Sequence, residues 1–157
     1  MRRNEREITD SQAIELFISE QRIMRVGIID DGEVYIVPVN YGFKTENGEY
    51  TFYFHGAKAG RKYSLAQSKP KVGFEIDGEY TLLPAEKACG YSARYKSVIG
   101  NGELSVVYDQ EEKTEALNCL MKQLTGKSGF SYEEKTLSNT AVFKIKVEKL
   151  SCKAKER

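Results

Sequence analysis

Two short turn signals constrain this chain more than any other feature. Asp31-Gly32 separates the β-rich run 23–29 from the run 34–43, and Asn47-Gly48 separates the latter from the run 50–55. Asp-Gly and Asn-Gly favour the left-handed backbone of tight hairpin loops. The flanking runs are rich in Ile, Val, Tyr and Phe, the residues that suit a half-buried pleated surface. Three antiparallel strands in a meander are expected.

The rest of the chain reads as further strands between capped helices. Thr9 with Gln12 fits a capping box, with Asp10 as the alternative cap. Ala13, Ile14, Phe17 and Ile18 then form one apolar helical face to about Gln21. A short helix is predicted over residues 60–69, stopped by Pro70, and a strand over 71–76. Residues 77–90 read as a loop in which Tyr80 to Leu83 has extended character. A long β-prone segment covers 91–108, and Gly100 and Gly102 inside it suggest a bulge or a close approach. Asp109 and Glu112 open a second long helix that Gly126 ends. Its Leu117, Leu120, Met121 and Leu124 are expected to pack on the core. The last strand, 141–152, turns Phe143, Ile145 and Val147 one way and Lys144, Lys146 and Glu148 the other. The polar tail 153–157 is expected to fray.

Neither an internal repeat nor a linker interrupts this pattern. The 157 residues fit one domain, with an ordered core over about 6–153. Six or seven antiparallel strands with flanking helices make an α+β protein. Tyr and Val on both faces of several strands favour a closed barrel over an open sheet.

A net charge of +1 gives no footprint for a nucleic-acid partner. No apolar run approaches the roughly 20 residues of a membrane helix. The start of the chain is charged and lacks an apolar signal core, so a cytoplasmic location is expected. Cys89, Cys119 and Cys152 are widely spaced, and His55 is the sole histidine. That set completes no common metal site and reads as reduced thiols, so no metal is expected.

Three segments can carry chemistry. The first runs from Tyr53 to Lys62, a strand end that passes through a glycine turn into a helix. It gathers His55, Gly56, Ala57, Lys58, Gly60, Arg61 and Lys62 in a chain that is otherwise almost neutral. Glycines allow close approach, and Arg and Lys suit phosphate oxygens. A solvated basic turn is the plainer alternative. His55 itself reads either as a structural hydrogen-bonding group or as a cofactor contact.

The second segment is Val37-Pro38-Val39-Asn40-Tyr41. Proline removes a ladder donor, so this strand is locally unpaired or lies at an edge. Its free backbone groups suit the polar edge of a planar heterocycle, although an edge proline needs no such role. The third segment is Arg94 to Gly102, in which alternation sets Arg94 and Ser97 on opposite faces. No nucleophile elbow and no dinucleotide-binding glycine motif is present.

The order of these motifs resembles the pyridoxamine 5′-phosphate oxidase-like flavoproteins, the FMN-binding split-barrel family. Within it, the chain looks most like the nitroimidazole-resistance-related branch. The resemblance rests on residues 35–41, 53–62 and 94–102, with support from residues 116–121 and 142–145. It covers about 6–153. It implies a split β-barrel homodimer with FMN at the subunit interface. Val37, Pro38, Val39, Asn40 and Tyr41 would line the flavin ring. His55, Gly56, Ala57 and Lys58, with Arg61 and Lys62, would hold the phosphate, and Ser97 would be a lesser contact. Tyr91 and Arg94 would lie on the substrate side. Met24 and Tyr91 stand where relatives often carry Cys and Trp, which bears on the substrate.

The implied activity is an FMN-dependent oxidoreductase that reduces a small electron acceptor such as a nitroaromatic compound. Its donor would be a reduced nicotinamide nucleotide or a reductase. The rival readings are a non-catalytic flavin- or haem-binding module and an FMN-free interaction protein of the same fold. Pyridoxamine phosphate oxidase activity itself would call for a second phosphate site, and the sequence assembles no second cationic cluster.

Overall fold

The computed structural model describes residues 4–155. The charged start at residues 1–3 and the tail end at 156–157 lie outside the described residues. Along the chain run β1 (Glu7–Ile8), α1 (Ser11–Glu20), β2 (Ile23–Asp30), β3 (Glu33–Asn40), β4 (Gly42–Glu46) and β5 (Glu49–Ala57). Then follow α2 (Arg61–Ala66), β6 (Lys71–Leu83), β7 (Ser92–Val107), α3 (Gln110–Thr125), α4 (Glu134–Asn139) and β8 (Thr140–Lys155). The ladders are antiparallel, and the fold is α+β as the sequence predicts.

Both hairpins form. Asp31, Gly32, Asn47 and Gly48 all have φ between 51° and 82°, the left-handed backbone that such loops require. The meander does not form. The sheet order is β3-β2-β6-β7-β8-β5-β4, with β1 added on β8. The run 34–43 is therefore two strands, and they lie at opposite ends of the sheet. Tyr41 is the corner between them. It is fully buried and donates its O–H to the Ile18 carbonyl at 2.6 Å. No ladder joins β3 to β4, so the sheet is split rather than the closed barrel that composition favours.

The main core lies inside this split barrel. Phe17 and Ile18 of α1 pack with Met24, Val26, Ile28, Phe52, Phe74 and Ile145, all of them buried. A smaller cluster lies on the outer side of β5, β7 and β8, where α3 covers Tyr53, Val107 and Val142 with Ala116 and Leu120. The buried residues of α3 are Lys113, Ala116, Leu120 and Gln123, and Leu124 is exposed. This corrects the predicted stripe. The helix approaches β4 so closely that a Cβ on Gly42 would lie 2.3 Å from the Cys119 carbonyl carbon. At that distance long polar side chains lie under the helix and reach carbonyls. Lys113 Nζ meets the Leu137 carbonyl. Gln123 Nε2 donates to the carbonyls of Ile18, Ser19 and Gln21 at 2.8, 3.1 and 2.7 Å, closing the open end of α1.

Other boundaries also differ from the sequence reading. Asp10, not Thr9, caps α1 by accepting the Ala13 N–H at 2.7 Å. β6 continues to Leu83 through a bulge between Gly78 and Thr81. The predicted irregularity in β7 falls at Asn101/Gly102, where a Cβ on Gly102 would meet the Lys146 carbonyl at 2.2 Å. α4 was not expected. Lys153 to Lys155 pair with β7 and are not frayed. No helix among the described residues is long and apolar enough to cross a membrane.

Candidate cofactor-binding site

β5 ends at Ala57, and α2 starts at Arg61 after Gly60 (φ 88°), a backbone conformation that favours glycine. With only six residues, α2 contributes little dipole. The charge of this region comes from its side chains.

Lys62 is the residue that sets the site's character. Its Nζ lies 5.4 Å from the Phe54 ring centre and 5.2 Å from that of Phe143, and 3.5 Å from the His55 carbonyl. Gly56 makes room for it, since a Cβ there would come within 3.1 Å of Nζ. Among the described residues, no carboxylate pairs with Lys62. Burial pushes its pKa below the ordinary lysine value. Two aromatic faces replace part of the lost hydration of the ammonium.

Arg61 is placed differently. Its Nε donates to Asp30 at 2.5 Å, and its guanidinium stacks over the Tyr35 ring at 4.6 Å. These contacts tie α2 to the tip of the β2–β3 hairpin. Much of Arg61's charge is already answered, so Lys62 is the better anion partner of the two. Lys58 is exposed at the turn and lies near enough to the buried Lys113 to lower its pKa, second to burial.

His55 opens to solvent on the outer face of β5, opposite Val142. Partial burial, then the nearby Lys62 charge, holds its imidazole below its ordinary pKa of 6.5. A neutral ring near pH 7 can donate or accept a hydrogen bond. No group of three or more metal-ligating side chains forms among the described residues.

The other predicted contacts do not meet this turn within one chain. β3 is an edge strand of the sheet, which accommodates Pro38 without a lost ladder bond. Pro38 and Asn40 lie exposed on the outer sheet face, while Val37 and Val39 turn inward to the core. Asn40 Nδ2 donates to the Arg22 carbonyl at 2.8 Å. Tyr41 is withdrawn into the core, and its side chain offers no surface to a ligand. Ser97 lies on the outer face between Asp77 and Lys153. Ten residues of β7 separate it from Val107, which is on the His55 row, or roughly 30 Å of strand. Arg94 and Tyr91 lie further toward that same distal end.

Sequence reasoning missed Asp30, Tyr35, Phe143 and Lys113 around the turn. Only Lys113 left a local signal, its helical spacing with Ala116 and Leu120. The other three come from separate strands. A half-buried ammonium without a carboxylate partner, beside a glycine step and further cations, fits an anion such as a phosphate monoester.

Comparison with known proteins bears on the family and the fold. The family model for pyridoxamine 5′-phosphate oxidase matches residues 10–154. A candidate 5-nitroimidazole antibiotic resistance protein from Bacteroides thetaiotaomicron is 32% identical. The match covers 94% of this chain and 86% of that one, with a TM-score of 0.80. A FAD and haem binding protein from Mycobacterium smegmatis is 16% identical over 97% of this chain and 74% of its own, with a TM-score of 0.82. A flavocytochrome from Azotobacter vinelandii is 19% identical over 100% and 72%, with a TM-score of 0.81. At those identities the last two speak to the fold alone. The curated proteins contain no match. From the first helix to the last strand, then, this chain belongs to the pyridoxamine 5′-phosphate oxidase family.

Proposed function

We propose that the protein is an FMN-dependent oxidoreductase that works as a homodimer and reduces a small acceptor such as a nitroaromatic compound. One observation carries the reading. Lys62 is a partly desolvated cation with no carboxylate partner among the described residues, held at the mouth of the 55–62 turn. A bound flavin would supply the redox chemistry. Lys62 and Lys58 would bind the phosphate, with Arg61 in support and Gly56 and Ala57 letting the backbone approach. His55 would donate to a cofactor oxygen. The 32% identity to the candidate nitroimidazole resistance protein supports the acceptor class.

The outer sheet face supports the dimer. Ile29, Val34, Ile36 and Ile99 are each more than half exposed there. At its centre Gly27 pairs with Gly73, and an added Cβ at either would touch nothing closer than 3.7 Å. This apolar face lies between Arg25, pinned to Glu75 and Asp77, and the lysines Lys149 and Lys153. Carrying both signs of charge, it suits a second copy of itself. Pro38 and Asn40 lie on that face, so a dimer formed there would bring the edge strand to a subunit boundary.

The absorption spectrum of the purified protein, before and after addition of FMN, tests the reading. Flavin absorption that stays with the protein on gel filtration, at the mass of a dimer, is expected. A Soret band would favour the haem-binding alternative. A colourless monomer that takes up no FMN would overturn the proposal. With the holoprotein, reduced nicotinamide nucleotides and a panel of nitroaromatic acceptors then test the reaction.

A further inference from the structure

β4 ends the sheet, and its free edge opens into a cleft. Glu46 and Glu49 flank the Asn47-Gly48 loop, where both loop residues have positive φ. A two-residue loop of this kind closes on a pair that exchanges both its N–H···O bonds. Bonding alternates from there, so Lys44 also bonds to β5, at Thr51. Thr45 and Phe43 fall at the positions between, where N–H and C=O point away from β5. No strand lies on that side of β4, and no other backbone group among the described residues takes them up.

The cleft holds about 500 Å³. α1 contributes Glu15 and Ser19 to it, and α3 contributes Cys119 and Lys122. Gln123 ties the two helices together through its bonds to the last carbonyls of α1. A bare strand edge is normally blunted or covered, because it pairs with other chains. Here two helices line the edge, which leaves room for a single extended segment and none for a second sheet.

Two further observations bear on the occupant. Thr45 Oγ1 is closed off from solvent and has no hydrogen-bond partner, the one such side-chain atom among the described residues. An unmet buried polar atom marks a missing partner, and a peptide laid along β4 brings both donors and acceptors to this residue. The second observation is charge. Lys44 is held by Glu46 and Glu115, whereas the side chains of Lys122 and Glu15 make no ion pair or hydrogen bond among the described residues. One free cation and one free carboxylate in the same cleft complement the two charged ends of a peptide.

We propose that this cleft binds a short peptide in extended form, as a strand added to β4, with its terminal carboxylate on Lys122 and its ammonium toward Glu15. Thr45 pairs with Tyr50, five residues before His55, or roughly 17 Å of strand. The cleft is therefore separate from the 55–62 turn, and the proposal does not depend on the flavin.

Calorimetry and amide-resolved NMR of the full-length protein with the tripeptide Thr-Val-Thr test it. Saturable binding is expected. Successive N–H groups of an extended chain point to opposite edges, so methylating one of the two peptide nitrogens abolishes binding and methylating the other does not. Lys122→Gln weakens binding about tenfold, the size of a lost charged hydrogen bond, and has no effect on the weaker binding of the C-terminal amide form. Lys122 is exposed, so circular dichroism should show the variant folded. In the complex the Phe43 and Thr45 amides exchange more slowly with solvent, and the Lys44 amide, already in the ladder, is unchanged. The proposal is overturned if the tripeptide does not bind, if the two methylated forms bind alike, if Lys122→Gln keeps full affinity, or if exchange at Phe43 and Thr45 is unaltered.

Discussion

Lys62 occupies the space that Gly56 leaves empty: a Cβ at position 56 would come within 3.1 Å of Nζ and 3.3 Å of Cε. The glycine thus serves the lysine directly, as well as the turn. Gly56→Val should displace the ammonium from its aromatic seat while costing the strand little. The expected outcome is a fall in FMN affinity that matches Lys62→Ala, and a double variant no worse than either. A double-mutant cycle read by flavin fluorescence checks this. Additive losses would separate the two residues.

His55 reports on the same site. As the chain's sole imidazole, it gives a single histidine titration by NMR. Burial, then Lys62, holds its pKa below 6.5. Lys62→Met should raise it while leaving it short of the ordinary value, because the first cause remains. Between the folded-state value and 6.5 the unfolded chain binds more protons at His55, so stability rises with pH across that window. Lys62→Met should flatten the rise, as measured by urea unfolding at a series of pH values.

Asp30 holds the guanidinium of Arg61. Both side chains are substantially exposed, at 47% and 31%, so the pair adds little stability. Asp30→Asn should cost less than about 1 kcal/mol by urea unfolding. It should tighten FMN binding rather than weaken it, because the freed guanidinium can turn to the phosphate.

Stability depends more on α3 than on the site. Gln123→Leu removes the donor to three carbonyls at the end of α1 and should cost about 2 kcal/mol. Gly42→Ala drives a Cβ into rigid helix backbone 2.3 Å away and should cost about 3 kcal/mol. Both are read by thermal or urea unfolding. Neither should change the FMN affinity of the protein that remains folded.

The sequence shows most clearly what is local. Asp31-Gly32 and Asn47-Gly48 announce their hairpins because the backbone they require is written in those residue types. Asp109 bounds α3 by accepting the Glu112 N–H with its side chain, and Gly126 by its left-handed backbone. What it hides is pairing across distance. The run 34–43 reads as one strand, since nothing in its composition shows that Tyr41 turns inward to reach Ile18. The stripe on α3 is misplaced because Gly42, some 75 residues before Leu117, sets how near the helix comes. The basic turn is legible, but the division of labour within it is not. That Arg61 is bound to Asp30 and Lys62 is unpaired depends on strands far apart in the chain.

The most direct test is the affinity of FMN for the wild-type protein and for Lys62→Met, which keeps the bulk of the side chain and removes its charge. The account predicts a loss of about 10- to 100-fold, the worth of a charged hydrogen bond to the phosphate. Equal affinity for the two proteins would contradict it and place the phosphate elsewhere.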